Sequence, residues 1–99
     1  MSGEAYVIIK QNEFMKKFRK AEATDPARAR TLAELGVKPG RIFDKMADKD
    51  VFLPGRNPGT FYLNEAAAEE FVEARRRRAF FMMLLILAVA ALMFFLGRR

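Results

Sequence analysis

The pattern of hydrophobic and polar positions changes abruptly near the end of the chain. From Ala79 to Leu96 the sequence is AFFMMLLILAVAALMFFL, 18 consecutive apolar residues without a charge, a hydroxyl, a proline or a glycine. A helix of this length spans about 27 Å, close to the ~30 Å hydrocarbon core of a bilayer. Because the run is apolar on every face, it does not fit a helix that packs only one face against a small core. The sequence therefore predicts a transmembrane helix over 79–96.

The alternative for this run is a helix buried in a soluble core. The roughly 74 residues that precede the arginine cluster are too few to surround such a helix. A secretory signal would stand at the amino terminus, where MSGEAYVIIKQNEF lacks its pattern. We therefore expect a single-pass anchor similar to that of tail-anchored proteins.

The residues before the anchor predict a small, mainly α-helical domain. Tyr6–Ile9 is rich in β-branched side chains and favours a strand or an extended segment. Asn12 is a suitable N-cap for a helix over Glu13–Glu22, whose apolar side chains share one side. The rest of that helix is expected to be solvated and carries Lys16, Lys17, Arg19 and Lys20.

Two further helices are predicted downstream. Asp25 is a good N-cap and is followed by proline, which suits the first helical position. A helix is therefore expected over Pro26–Leu35, ended by Gly36. A third helix is expected over about Gly40–Lys49, with an apolar side and a charged side.

A hairpin and a long helix complete the predicted elements. The β-prone runs Val51–Leu53 and Thr60–Leu63 are joined by a Pro/Gly loop, which predicts a hairpin. Asn64 caps a last helix without a breaker before Arg78, so we expect this helix to continue into the anchor. The predicted parts are a domain, a connecting helix with a basic end, the transmembrane helix and a basic tail, over 1–63, 64–78, 79–96 and 97–99.

The order of these elements resembles a winged helix-turn-helix domain. The stretches that carry the resemblance are TLAELGVKPGRIFDKM (Thr31–Met46) and DVFLPGRNPGTFYLNEAAAEEF (Asp50–Phe71). The second stretch is similar to the wing of MerR-type regulators, and the whole resemblance covers about Gln11 to Phe71. One departure is Leu32, where the pattern usually has a small side chain four residues before the turn glycine.

The resemblance implies a winged-helix-like three-helix domain with a small β-hairpin, followed by the long C-terminal helix. In such domains the third helix enters the DNA major groove and the wing contacts the backbone. The residues in these roles, or in contact with another partner, would be Arg41, Lys45, Lys49 and Arg56. The alternative is a salt-bridged structural helix, because Asp44 and Asp48 share its exposed side and would repel phosphates.

Charge is distributed unequally along the chain. The 18 Lys and Arg exceed the 12 Asp and Glu, which gives a formal charge of +6. Residues 1–74 are formally neutral, so the whole excess lies at the two ends of the apolar run. A neutral domain has little of the counterion release on which DNA affinity depends. The arginines that carry the excess are Arg75, Arg76, Arg77, Arg78, Arg98 and Arg99.

The flanking arginines predict an orientation. Four precede the run and two follow it, which favours a cytoplasmic domain by the positive-inside rule. The cluster before the run is an orientation signal, and it can also bind anionic lipid head groups at about 1 kcal/mol per basic residue. Glu73 is placed to pair with Arg76 or Arg77 and so to neutralise part of this charge.

The anchor itself offers one candidate contact. Ala88 and Ala91 are small residues one turn apart, and they could allow another transmembrane helix to approach closely. The run contains no ionisable side chain, which argues against an ion pathway.

The residue types argue against catalysis. The chain has no His and no Cys, and its one serine is Ser2. The usual acid–base group, the thiolate nucleophile and the commonest metal ligands are therefore missing, and we expect no enzyme, metal site or cofactor. The leading hypothesis is an accessory subunit or docking module that brings a protein partner to a membrane. The alternative is a membrane-tethered DNA-binding regulator, and the abundant Ala and Arg point to a bacterial inner membrane.

Overall fold

The computed structural model describes residues 2–98, which form four α-helices, a 3₁₀ turn and three short strands. The described chain divides into two compact units, which we call the headpiece, up to Glu69, and the tail unit, from Glu70 onward. In chain order the elements are α1 (Ser2–Lys20), the 3₁₀ turn (Pro26–Arg28), β1 (Arg30–Thr31), α2 (Leu32–Leu35), α3 (Arg41–Asp48), β2 (Phe52–Pro54), β3 (Thr60–Leu63) and α4 (Glu65–Gly97).

This architecture confirms the predicted fold class: mainly helical, with a small antiparallel sheet and a long C-terminal helix. The strands are arranged in the order β1-β3-β2, with Phe52 opposite Leu63 and Arg30 opposite Phe61. The hairpin and the third helix are therefore where the sequence predicts them. The helix, the strand, two more helices and the hairpin follow one another as in a winged-helix-like domain.

The prediction for the amino-terminal segment is wrong. Tyr6–Ile9 is helical, because α1 begins at Ser2 and continues to Lys20, so the helix does not begin at Glu13. The β-branched side chains disfavour a helix by only a few tenths of a kcal/mol each, roughly 0.5 at most. No proline interrupts the segment, and each residue added to an existing helix gains a hydrogen bond at little cost. Helix propagation therefore outweighs the local β preference.

The prediction of a single helix over Pro26–Leu35 is also wrong. Asp25 does cap a helical turn, with its Oδ1 accepting from the Arg28 N–H at 2.9 Å, but that turn ends after three residues. The chain then becomes extended, and β1 pairs with β3 before α2 begins. Pairing with a strand 30 residues away along the chain, Arg30 with Phe61 and Thr31 with Thr60, is a tertiary interaction that local patterns do not show.

Helices α1, α2 and α3 end in the same way. Each is followed by a residue in the left-handed conformation, with φ of 59°, 71° and 64° in turn, and then by an apolar residue buried in the core. The amide of that apolar residue donates to the carbonyl five residues earlier, at 2.9–3.0 Å, which satisfies an otherwise unpaired carbonyl. The left-handed residues are Glu22, Gly36 and Asp50, and the buried ones are Ala23, Val37 and Val51.

A stack of phenylalanine rings holds the headpiece together. Phe52 of β2 lies between Phe18 of α1, at 4.5 Å between ring centroids, and Phe43 of α3, at 4.8 Å. Phe61 of β3 meets Phe43 edge-on at 5.3 Å. Phe18 and Phe52 are 0% and 1% exposed, so the stack joins both helices to the sheet away from water.

Polar contacts of α1 fix its position against two other elements. The Arg19 guanidinium donates to both carboxylate oxygens of Glu65, in the first turn of α4, at 3.0–3.2 Å. The Lys17 ammonium donates to the Gly36 carbonyl at 2.7 Å. Two of the four basic residues expected to be merely solvated are therefore structural.

Replacing the central ring of the stack is expected to weaken the headpiece strongly. Phe52→Ala removes a fully buried ring with two stacked neighbours, and should cost about 3–5 kcal/mol of unfolding free energy. The measurement is urea denaturation of the full chain in detergent, followed by the fluorescence of its two tyrosines, Tyr6 and Tyr62. Phe81→Ala, at a ring that is exposed in the tail unit, is the control. Equal effects of the two changes would contradict the assigned core.

The loop after β2 requires a glycine for close approach, which gives a second prediction. A Cβ at Gly55 would collide with the Ala29 side chain and lie 2.6 Å from Thr60 Oγ1. Gly55→Ala should therefore destabilise the headpiece by about 1–3 kcal/mol in the same denaturation experiment. Gly3→Ala is the matched control, because a Cβ there meets nothing within 4 Å and alanine favours the helix. If Gly55→Ala left the free energy of unfolding unchanged, the loop after β2 would not pack against Ala29 at the end of the 3₁₀ turn.

Candidate functional site

The large apolar side chains of the apolar run are all exposed. From Phe80 to Leu96 they are between 45% and 71% exposed. Within the part of the chain that is described, α4 is the one helix long and apolar enough to span a membrane, and none of its apolar window is buried. A helix from a soluble core would be mostly buried. As predicted, α4 continues from the end of the hairpin through the apolar run without a break.

The arginine cluster before the run is partly neutralised by its own helix. The Arg77 guanidinium donates to Glu70 Oε2 at 3.2 Å, two helical turns back. Among the described residues, no ion pair within 4.0 Å joins Glu73 to Arg76 or Arg77, the pairing that the sequence predicts. Desolvation, together with the guanidinium groups of Arg76 and Arg78, lowers the pKa of Arg75 below its ordinary value. An arginine remains charged at neutral pH in spite of such a shift, so the cluster keeps an excess of positive charge.

The other end of α4 also carries a basic group. The Arg98 guanidinium carbon lies 5.7 Å from the centroid of the Phe94 ring, within the range of a cation–π contact. Arg99, the last of the predicted head-group residues, lies outside the described residues. Ala88 and Ala91 are both exposed, so their predicted role in helix packing stays a prediction.

The candidate contact residues of α3 lie on its solvent side. Phe43 and Met46 are buried on the opposite side of this helix. Among the described residues, no ion pair within 4.0 Å joins the exposed basic side chains to Asp44 or Asp48, so the expected salt bridges are not formed. The exposed basic residues are Arg41 and Lys45 on α3, Lys49 at its C-cap, and Arg56 in the loop after β2.

An open groove of about 450 Å³ lies between α1 and the segment that joins α2 to α3. Of the four candidate contact residues of α3 and the wing, only Arg41 lines it. The other lining residues were not predicted, because Tyr6 was expected in a strand and the α2–α3 segment was interpreted only as a turn. The apolar lining residues are Tyr6, Phe14, Pro39, Ile42 and Phe43, and the charged ones are Lys10, Glu13, Lys17, Lys38 and Arg41.

A capping box stabilises the first turn of α2, the helix that precedes the groove-lining segment. Thr31 Oγ1 accepts from the Glu34 N–H at 3.1 Å, and Glu34 Oε1 accepts from the Thr31 N–H at 2.9 Å. The hydrogen bond from the Thr31 backbone N–H is the main cause that lowers the pKa of Glu34 below its ordinary value. The hydrogen bond from the Thr31 hydroxyl lowers this pKa further. Ionised Glu34 therefore stabilises the folded headpiece.

Three comparisons, with family models, curated proteins and solved structures, give no indication of function. No protein-family model matches the chain, and no curated protein or solved structure matches it either. Among the described residues, no group of three or more His, Cys, Asp or Glu side chains could hold a metal ion. Function is therefore inferred from the side chains alone.

The capping box predicts a pH dependence of stability. A carboxyl whose folded-state pKa is lowered contributes stability that is present above its unfolded pKa and is lost as pH falls through the folded one. The thermal midpoint of the full chain in detergent should therefore fall as the pH drops below the ordinary glutamate pKa of about 4.3. Glu34→Gln should reduce that fall, because its amide oxygen still accepts from Thr31 but does not titrate. Glu69→Gln, at an exposed position of α4, is the control. An equal reduction in both variants would contradict this role of Glu34.

Proposed function

We propose that the chain is a non-enzymatic, single-pass membrane protein whose headpiece docks a partner protein at the membrane surface. The observation that carries the proposal is the uncovered apolar run of α4. Apolar surface in water costs about 25 cal/mol per Å², and these side chains have no protein cover. A bilayer removes this cost, and the length of the run matches the hydrocarbon core.

The flanking charges support one orientation within this proposal. Four arginines precede the apolar run and two follow it, which favours a headpiece in the cytoplasm. Arg76 and Arg78 are then available to anionic lipid head groups, whereas Arg77 shares its charge with Glu70. A bacterial inner membrane, rich in anionic lipid, is the setting that we propose.

The headpiece supports docking rather than catalysis. It has an open groove with an apolar base, a feature that is typical of interaction sites. It lacks His and Cys altogether, so acid–base and thiolate chemistry have no residues to carry them. A winged-helix-like fold does not by itself define a function.

A membrane-tethered DNA-binding regulator is the second candidate function. The basic side chains on α3 and in the wing are exposed and form no ion pair among the described residues. Asp44 and Asp48 are also exposed on the same helix, form no ion pair in the part of the chain that the structure describes, and would repel phosphates. Because DNA affinity depends mainly on neutralised phosphates, we rank this candidate second.

Purification from native membranes tests the docking function. The full chain, solubilised in mild detergent, is expected to retain a second protein at fixed stoichiometry. A variant with Leu85→Arg and Val89→Arg should lose both the membrane fraction and that protein, because each charge costs about 3 kcal/mol at the membrane centre. The conservative pair Leu85→Val and Val89→Leu is the matched control. Repeated recovery of the full chain as a lone monomer would contradict docking.

Duplex DNA separates the two candidate functions. Any binding of duplex DNA by the full chain in detergent is expected to come from the arginine cluster and to be the same in the wild type and in the variant Arg41→Glu with Lys45→Glu. Binding that weakens steeply with added salt and is lost in the double variant Arg41→Glu with Lys45→Glu would favour the regulator.

A further inference from the structure

The groove of the headpiece has an apolar lining that is buried at its inner end and partly exposed at its rim. Phe14 and Phe43 belong to the hydrophobic core and line the inner part of the groove. Ile42 also lines the groove and is half-buried. Tyr6 borders the groove while remaining 56% exposed, and Ile9, in the next turn of α1, is 63% exposed. The amino-terminal half of α1 therefore extends the apolar surface beyond the groove.

The groove carries an excess of positive charge. Four basic side chains line it, and the single acid, Glu13, is already paired with Lys10 at 3.2 Å. The Lys17 ammonium is bound to the Gly36 carbonyl. Lys38 and Arg41 are exposed at the groove and form no ion pair within the described chain, so their charges are available to an occupant.

The dimensions of the groove fit a short helix. The α1 residues that line it extend from Tyr6 to Lys17, a distance of about 16 Å along the helix axis. Three turns of a partner helix have this length, with apolar anchors spaced three and four residues apart on one face. The opposite flank of such a helix would face Lys38 and Arg41.

We infer that this groove is the docking site of the headpiece and that its occupant is an acidic amphipathic helix of a partner protein. The apolar face of that helix packs on Tyr6, Pro39 and Ile42, and its carboxylates pair with Lys38 and Arg41. This inference rests on the proposed docking function and specifies its partner.

Other occupants fit the groove less well. A nucleic-acid backbone offers phosphates to Lys38 and Arg41 but would leave the apolar base of the groove uncovered. A second copy of the chain, docked groove to groove, would bring like charges together. An acidic amphipathic helix satisfies both the apolar base and the charge.

The test is a charge swap on the full chain in nanodiscs of phosphatidylcholine, with empty nanodiscs as the blank. The probes are a fluorescent amphipathic helical peptide with leucines on one face and glutamates on the other, and an isomer in which lysines replace the glutamates. The wild-type chain should bind the acidic peptide at least about tenfold more tightly than the basic one. Lys38→Glu with Arg41→Glu should reverse this order.

A matched control separates the groove from the general charge of the headpiece. Lys45→Glu with Lys49→Glu makes the same change of charge on α3 outside the groove, and should leave the acidic peptide preferred. Both pairs are exposed, and circular dichroism checks that each variant is folded. Equal effects of the two pairs, an unchanged order after the Lys38 and Arg41 swap, or no binding of either peptide would overturn the inference. Displacement of the acidic peptide by duplex DNA would assign the groove to nucleic acid and overturn it as well.

The failure of this inference is distinguishable from the failure of docking. If a partner protein co-purifies equally well with the wild-type chain and with the Lys38→Glu, Arg41→Glu variant, docking stands and the groove is not its site. If no partner co-purifies while the peptide order reverses as expected, the groove binds acidic helices but the docking function fails.

Discussion

The exclusion of apolar side chains from water is the constraint on which the whole account depends. Eleven of the 18 residues in the apolar run are Leu, Ile, Phe or Val, each of which favours the membrane centre by about 0.3–0.6 kcal/mol. The headpiece has a core of its own, built on the stack around Phe52, and the large side chains of the run are exposed. The proposed anchor, the proposed orientation by flanking arginines and the proposed partner at the membrane all require that this run lies in a bilayer.

The sequence predicted those parts of the fold that local chemistry decides. Asp25 and Asn64 cap helical segments, Gly36 ends α2 in the left-handed conformation, and the Pro/Gly loop joins a hairpin. The errors lie where a distant or cumulative interaction prevails. Pairing with β3 converts part of the predicted second helix into β1, and helix propagation overrides the β-branched residues at Tyr6–Ile9. Neither effect is visible in a short window of sequence.

The candidate site was less predictable than the fold. The apolar run and its arginines are evident in sequence because their signal is continuous along the chain. The groove is different, since Tyr6 and Lys38 are 32 residues apart and meet only through the packing of α1 against the α2–α3 segment. The positions of Lys17 and Arg19 illustrate the same limit: both were expected to be solvated, yet both bind groups distant in sequence.

The most direct test of the central claim is the behaviour of the intact chain when membranes are stripped of peripheral proteins with alkaline carbonate. We expect the full chain to remain in the lipid pellet and to be released only by detergent, because the apolar run is held by the hydrocarbon core rather than by charge. Recovery of the intact chain in the aqueous fraction, dispersed without detergent, would contradict the account.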